Sequence, residues 1–135
     1  MRVLGVDYGT KKTGLAVTDP LQIIASGLDT VLTKDLPDYL KSYTDKEPVC
    51  KIVIGYPRHP DGKPAQLANT ITAFGEGLRK DYPHVEIVYQ DESYTSIQAR
   101  EIILLSGARK KKRRDKKLVD KISAVLILQA YLQHI

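Results

Sequence analysis

The apolar positions of this chain keep two rhythms. Short, dense runs of aliphatic and β-branched residues recur early, and stretches with apolar residues three and four apart lie between and after them. Val3 to Asp7 and Thr13 to Asp19 flank a glycine-bearing turn and predict a hairpin. Ile23 to Val31 predicts a third strand after the turn at Asp19-Pro20. Asp35 to Tyr43 carries Leu36, Tyr39, Leu40 and Tyr43 at helical spacing, and Pro37 suits a first helical turn. Val49 to Tyr56 is a compact β-branched run. A loop rich in Pro and Gly leads from it into a helix expected from about Ala65 to Lys80. Val85 to Gln90 predicts a fifth strand. Thr95 or Ser96 is placed to cap a helix over Ile97 to Leu105, which Gly107 stops. Leu118 to Leu132 predicts a closing helix, apolar around nearly its full circumference after Ile122 and therefore buried.

Three antiparallel strands followed by helix–strand, helix–strand and helix point to an α/β fold, a mixed five-stranded sheet flanked by helices. The 135 residues suit one domain spanning 1–135, without linker or repeat. A hydrophobic fraction of 42% and a charged fraction of 27% are those of a water-soluble globular protein. The single cysteine, Cys50, excludes an internal disulfide framework and a thiolate zinc site. Met1-Arg2 runs straight into a strand, so no leader is expected, and a cytoplasmic protein is the expectation.

Charge changes the picture. The net charge is +5, but Arg109 to Lys117 holds eight basic residues and one acid, Asp115, for +7, which leaves the rest of the chain at −2. One concentrated cationic segment on a near-neutral protein is the footprint of a polyanion binder, although a basic run can also serve only as a solvated surface.

The candidate chemistry lies in carboxylates at the junctions of apolar elements. Asp7 ends the first strand beside Gly9 and Gly14, where backbone or ligand can approach closely. Asp91 and Glu92 follow the fifth strand, and alternation lets only one of the two face a given site. Asp120 opens the last helix. Each has a bland alternative: a turn-forming Asp, acids that favour a helix dipole, an intrahelical partner for Lys117 or Lys121. Together they suit Mg²⁺ or Mn²⁺, which take hard oxygen ligands. A carboxylate before a glycine-rich turn serves both ribonuclease H-type nucleases and actin-type ATPases. The latter need two related domains, and the chain holds no second Asp-x-Gly-Thr turn.

Four segments resemble a known family. Gly5-Val6-Asp7-Tyr8-Gly9-Thr10-Lys11-Lys12-Thr13-Gly14-Leu15-Ala16-Val17-Thr18-Asp19 is similar to the first motif of the YqgF family, also called RuvX. Ile54-Gly55-Tyr56-Pro57 with Asp61-Gly62, Asp91-Glu92-Ser93-Tyr94-Thr95-Ser96, and Val119 to Leu132 resemble its loop, acidic and closing-helix motifs in order. The resemblance implies a ribonuclease H-like fold and a metal-dependent nuclease that processes the 5′ end of precursor 16S rRNA. It implies Asp7, Glu92 and Asp120 as catalytic metal ligands in a two-metal hydrolysis. Lys11, Lys12, Arg58, Arg109, Lys110, Lys111, Lys112, Arg113 and Arg114 would hold the nucleic-acid backbone. Ser93 departs from the family's usual Arg and removes a donor fork. Lys12 replaces a common Arg, and His59-Pro60 replaces Asn-Met.

Three alternatives remain beside precursor rRNA cleavage: resolution of four-way DNA junctions, nucleic-acid binding without catalysis, and an ATPase module. A ribosomal partner is compatible with the first reading, and a monomer or weak homodimer with all of them.

Overall fold

The computed structural model describes residues 1–56, 65–91 and 116–132, and side chains over 1–56, 67–90 and 121–132. Five strands form one sheet: β1 (Arg2–Asp7), β2 (Lys12–Thr18), β3 (Ala25–Leu32), β4 (Val49–Tyr56) and β5 (Glu86–Asp91), in the order β3-β2-β1-β4-β5. β1, β2 and β3 pair antiparallel, while β1 with β4 and β4 with β5 pair parallel. The helices are α1 (Leu36–Lys46), α2 (Ala65–Asp81) and α3 (Lys116–Tyr131), with a single 3-10 turn at Thr33–Asp35 before α1. The expected mixed sheet, with its three antiparallel strands first, is present.

Strand alternation divides the core into two layers. Leu4, Val6, Leu15, Val17, Ile52, Ile54 and Ile87 point to one face and pack with Leu36 and Leu40 of α1 and with Ile71 and Leu78 of α2. Val3, Ala16 and Val53 point to the other face, where Ala124, Ile127 and Leu128 of α3 cover them. The burial of α3 follows the expectation from its apolar circumference.

Gly5 makes the second layer thin. A Cβ there would stand 2.5 Å from Leu128 Cγ and 3.1 Å from the Ala124 carbonyl oxygen, so only glycine lets α3 lie so close to β1. α3 crosses the sheet obliquely: Lys121 lies on Gly27 of β3, Ala124 and Leu128 on Gly5 of β1, and Tyr131 reaches Lys51 of β4.

Most boundaries differ from the sequence reading by one or two residues, and two differences have a local cause. Ile23 and Ile24 are not in β3 but in an exposed loop, because the Asp19 carboxylate accepts from the backbone N–H groups of Leu21, Ile23 and Ile24 and holds the chain off the ladder. α1 begins at Leu36, not Asp35, and runs on to Lys46, since Asp35 completes the 3-10 turn. The helix expected over Ile97 to Leu105 lies outside the described residues.

Candidate functional site

Asp7 is the last residue of β1. Its alternation with Val3 and Gly5 puts its half-buried side chain on the α3 face of the sheet. It pairs across the ladder with Gly14, which pairs in turn with Thr30 of β3, so glycine and threonine form the floor beside it. Tyr8, one step on, turns to the opposite face and packs its ring 4.8 Å from that of Phe74 in α2. The two neighbours therefore anchor the end of β1 from both sides.

The turn that follows is closely built. A Cβ on Gly9 would fall 2.2 Å from the Lys12 carbonyl oxygen, which excludes any other residue from that backbone path. Thr33 straps the turn from outside. Its backbone N–H donates to the Lys11 carbonyl at 2.8 Å, and its Oγ1 donates to the Gly9 carbonyl at 2.6 Å. The buried Thr13 hydroxyl lies 2.9 Å from the Thr33 hydroxyl. Since the Thr33 proton is already directed at Gly9, Thr13 donates in that pair. Sequence reading missed Thr33. Its signal, a lone threonine after a strand, acquires meaning only when the third strand returns beside the turn.

Asp120 lies in the second turn of α3, four residues before Ala124 and eight before Leu128, on the stripe of the helix that meets Gly5. Asp7 is two residues beyond Gly5 along β1. One helical turn and two strand residues are each about 6 Å long. Both backbone positions are thus one short step from the same helix–sheet contact. The third acid expected at the site, Glu92, lies outside the described residues, as do Arg58 and 109–114. Asp91 ends β5 opposite Tyr56 of β4, and the parallel strands β1, β4 and β5 all finish at the Asp7 edge.

Lys11 and Lys12 close the turn at this edge, Lys11 exposed and Lys12 half-buried. Lys12 shares the side of β2 that carries Gly14 and Ala16, the same face as Asp7. Among the described residues the soft and imidazole donors lie elsewhere: Cys50 near the start of β4, against the Arg2 carbonyl, and His84 in the turn before β5. Carboxylates at this corner suit a hard divalent cation such as Mg²⁺ or Mn²⁺.

The opposite end of the sheet is tied by paired charges. Arg2 bridges Glu47 at 3.3 Å and donates to the Thr18 carbonyl, and Lys51 meets both Glu86 and Tyr131. The Tyr131 hydroxyl, helped by the Glu86 carboxylate, holds the Lys51 ammonium above its ordinary pKa against the opposing effect of burial.

The model of the RuvX family, described as Holliday junction resolvase, matches residues 1–134. A relative from Porphyromonas gingivalis is 48% identical over 98% of this chain and 96% of its own length, and one from Flavobacterium johnsoniae is 45% identical over 97% and 95%. Both carry the name "Putative pre-16S rRNA nuclease". Among solved structures, the fowlpox virus Holliday junction resolvase superposes with a TM-score of 0.60 at 15% identity, covering 99% of each chain. RuvC of T. thermophilus, in complex with a Holliday junction substrate, reaches 0.61 at 17% identity over 99% of this chain and 95% of its own. These two likenesses bear on the fold, which is ribonuclease H-like as the motifs imply. With the match over nearly its whole length, the chain belongs to the RuvX family.

Proposed function

We propose that this protein is a metal-dependent phosphodiester hydrolase and that its substrate is precursor 16S rRNA. The observation that carries the reading is the approach of two acidic positions, from the first strand and the last helix, to one corner of the sheet through the Gly5–Ala124 contact. Family membership and the names of relatives from Porphyromonas gingivalis and Flavobacterium johnsoniae favour RNA over other phosphodiesters.

Asp7, Asp120 and Glu92 are the residues that would hold divalent cations, which supply a water activated for attack and charge compensation at the leaving oxygen. The rest falls to the protein. Burial of Ala124 and Leu128 on Gly5 fixes the helix that bears Asp120 against the strand that bears Asp7. Thr33 holds the β1–β2 turn, so that Lys11 and Lys12 present their charges to phosphate at the same edge. A site built on a central strand and a packed helix is positioned more rigidly than one carried on loops.

The test is cleavage of RNA carrying the 16S 5′ flank, with Mg²⁺ or Mn²⁺, by the wild type and by Asp7→Asn and Asp120→Asn. Cleavage by the wild type alone, with RNA binding retained in both variants, is the expected result. Wild-type inactivity with intact RNA binding would favour a binding module. A four-way DNA junction run alongside decides the second reading, which the family's description as a resolvase supports; symmetric nicking of the junction without cleavage of the RNA would replace the first substrate by the second.

A further inference from the structure

Gly27 lies at the middle of β3, on the α3 face, in a row with Ala16 of β2 and Gly5 of β1. A Cβ built on it would stand 2.6 Å from Cδ and 2.8 Å from Cγ of Lys121. Those are atoms in the middle of the lysine stem, so Gly27 leaves a slot into which the stem is laid. The slot confines the chain of a side chain that otherwise carries about 2 kcal/mol of rotamer freedom. Lys121 is half-buried, and its ammonium has no ion pair or hydrogen bond among the described residues. By contrast Arg2, Lys51 and Arg79 are paired with Glu47, Glu86 and Glu76.

Position gives this cation a role. It follows Asp120 in the chain and lies two strands from Asp7, on the same face of the sheet. Lys12 stands on that face too, on the other side of Asp7's row. From strand spacing and rise, Gly27 is about 12 Å from Asp7 between Cα atoms. Between Lys12 and Lys121 the sheet presents Gly14 and Thr30.

We infer that the β2–β3 wing of the sheet carries the nucleic-acid backbone away from the Asp7 corner, and that Lys121, seated in the Gly27 slot, is a phosphate contact on that track. The inference rests on the hydrolase reading for the location of the reacting phosphate. Its own content is a binding contact that exists without metal or cleavage. The occupant is taken as a single strand, whose one backbone can run from Lys12 past Thr30 to Lys121 along one line of contacts.

The test measures binding of a labelled single-stranded oligouridine to the full chain in chelator, over a series of salt concentrations. Lys121→Gln should flatten the slope of log affinity against log salt by ~0.7, the loss of one phosphate contact on a single strand. Lys41→Gln, an exposed cation on α1 behind the opposite face, should leave the slope unchanged. Gly27→Ala should weaken binding in the wild-type background and have no further effect in Lys121→Ala, because its only consequence is to unseat the lysine. Equal slopes for Lys121→Gln and Lys41→Gln would overturn the inference, and so would a Gly27→Ala effect that persists without Lys121. A flattened slope in a protein that cleaves no RNA would leave the track standing and remove the hydrolase reading. Cleavage with an unchanged slope would do the reverse.

Discussion

Gly5 and Leu128 touch across the sheet–helix interface so closely that the Leu128 Cγ stands 2.5 Å from where a Gly5 side chain would begin. The contact joins the strand that ends in Asp7 to the helix that carries Asp120. Gly5→Ala is therefore expected to lift α3 from β1, at a cost of about 1–3 kcal/mol for an overpacked core. Its cleavage rate should fall by more than its stability predicts, because the helix that moves carries an acid. Chemical denaturation combined with a single-turnover assay checks both. Wild-type stability with wild-type activity would mean that the interface yields without moving the site.

A second glycine supplies the contrast. Nothing lies within 4 Å of a Cβ on Gly77, inside α2. Gly77→Ala should stabilise the protein by up to about 1 kcal/mol through helix propensity and a less flexible unfolded chain. In the same helix Gly75→Ala should destabilise, since the Tyr89 hydroxyl would be 2.1 Å from the new carbon. Paired melting curves of the two variants, moving in opposite directions, are the expected outcome.

Thr33→Val removes the hydroxyl that serves both Gly9 and Thr13 while keeping its shape. The buried Thr13 hydroxyl loses its partner, which costs about 1–3 kcal/mol. Amide exchange across Tyr8–Lys12 should rise, and affinity for RNA should fall as Lys11 and Lys12 lose their fixed placement. An unchanged exchange pattern in that turn would show the strap to be dispensable.

Ser123 of α3 is fully buried, and its Oγ has no hydrogen-bond partner among the described residues. Ser123→Ala should stabilise by about 1 kcal/mol, a rise in Tm of about 3 °C, because an unsatisfied hydroxyl is taken out of an apolar layer. A loss of stability on this change would mean that the hydroxyl is bonded in solution.

Asp19 contributes to the acid side of the stability curve. The backbone N–H of Ile24, helped by those of Ile23 and Leu21, holds its carboxyl below the ordinary value of 3.8 against the opposing effect of burial. A depressed folded pKa adds stability above the unfolded value and loses it as pH falls through the folded one. Asp19→Asn should melt below the wild type at neutral pH, and the gap should close as the pH drops under 3.8. A gap that stays constant across the acid limb would assign the loop's order to something other than that charge.

Much of this was legible beforehand because it obeys short-range periodicity. The alternation of Val3, Leu4, Gly5 and Val6 gives a strand wherever the chain is read, and the dense apolar stretch after Ile122 gives a buried helix whatever it packs on. Asp7 and Asp120 stood out because each is a charge at the end of an apolar run. The strap from Thr33 and the Lys121 slot on Gly27 could not be read in that way. Each joins residues that local spacing does not relate, and each becomes visible only once β3 has returned along β2. The start of β3 was misplaced for a related reason: Ile23 and Ile24 have strand-forming side chains, but the Asp19 carboxylate competes for their backbone N–H groups.

The two-layer core has a bearing on how this protein tolerates change. Leu4 and Val6 face α1 and α2, while Val3, Gly5 and Asp7 face α3, so odd and even places in β1 belong to different halves of the molecule. Deleting a single codon between Val3 and Val6 would keep the ladder's bonds and send the carboxylate to the Phe74 side. Insertion and deletion are closed to this strand, and its count of residues is as much a part of the chemistry as their identity.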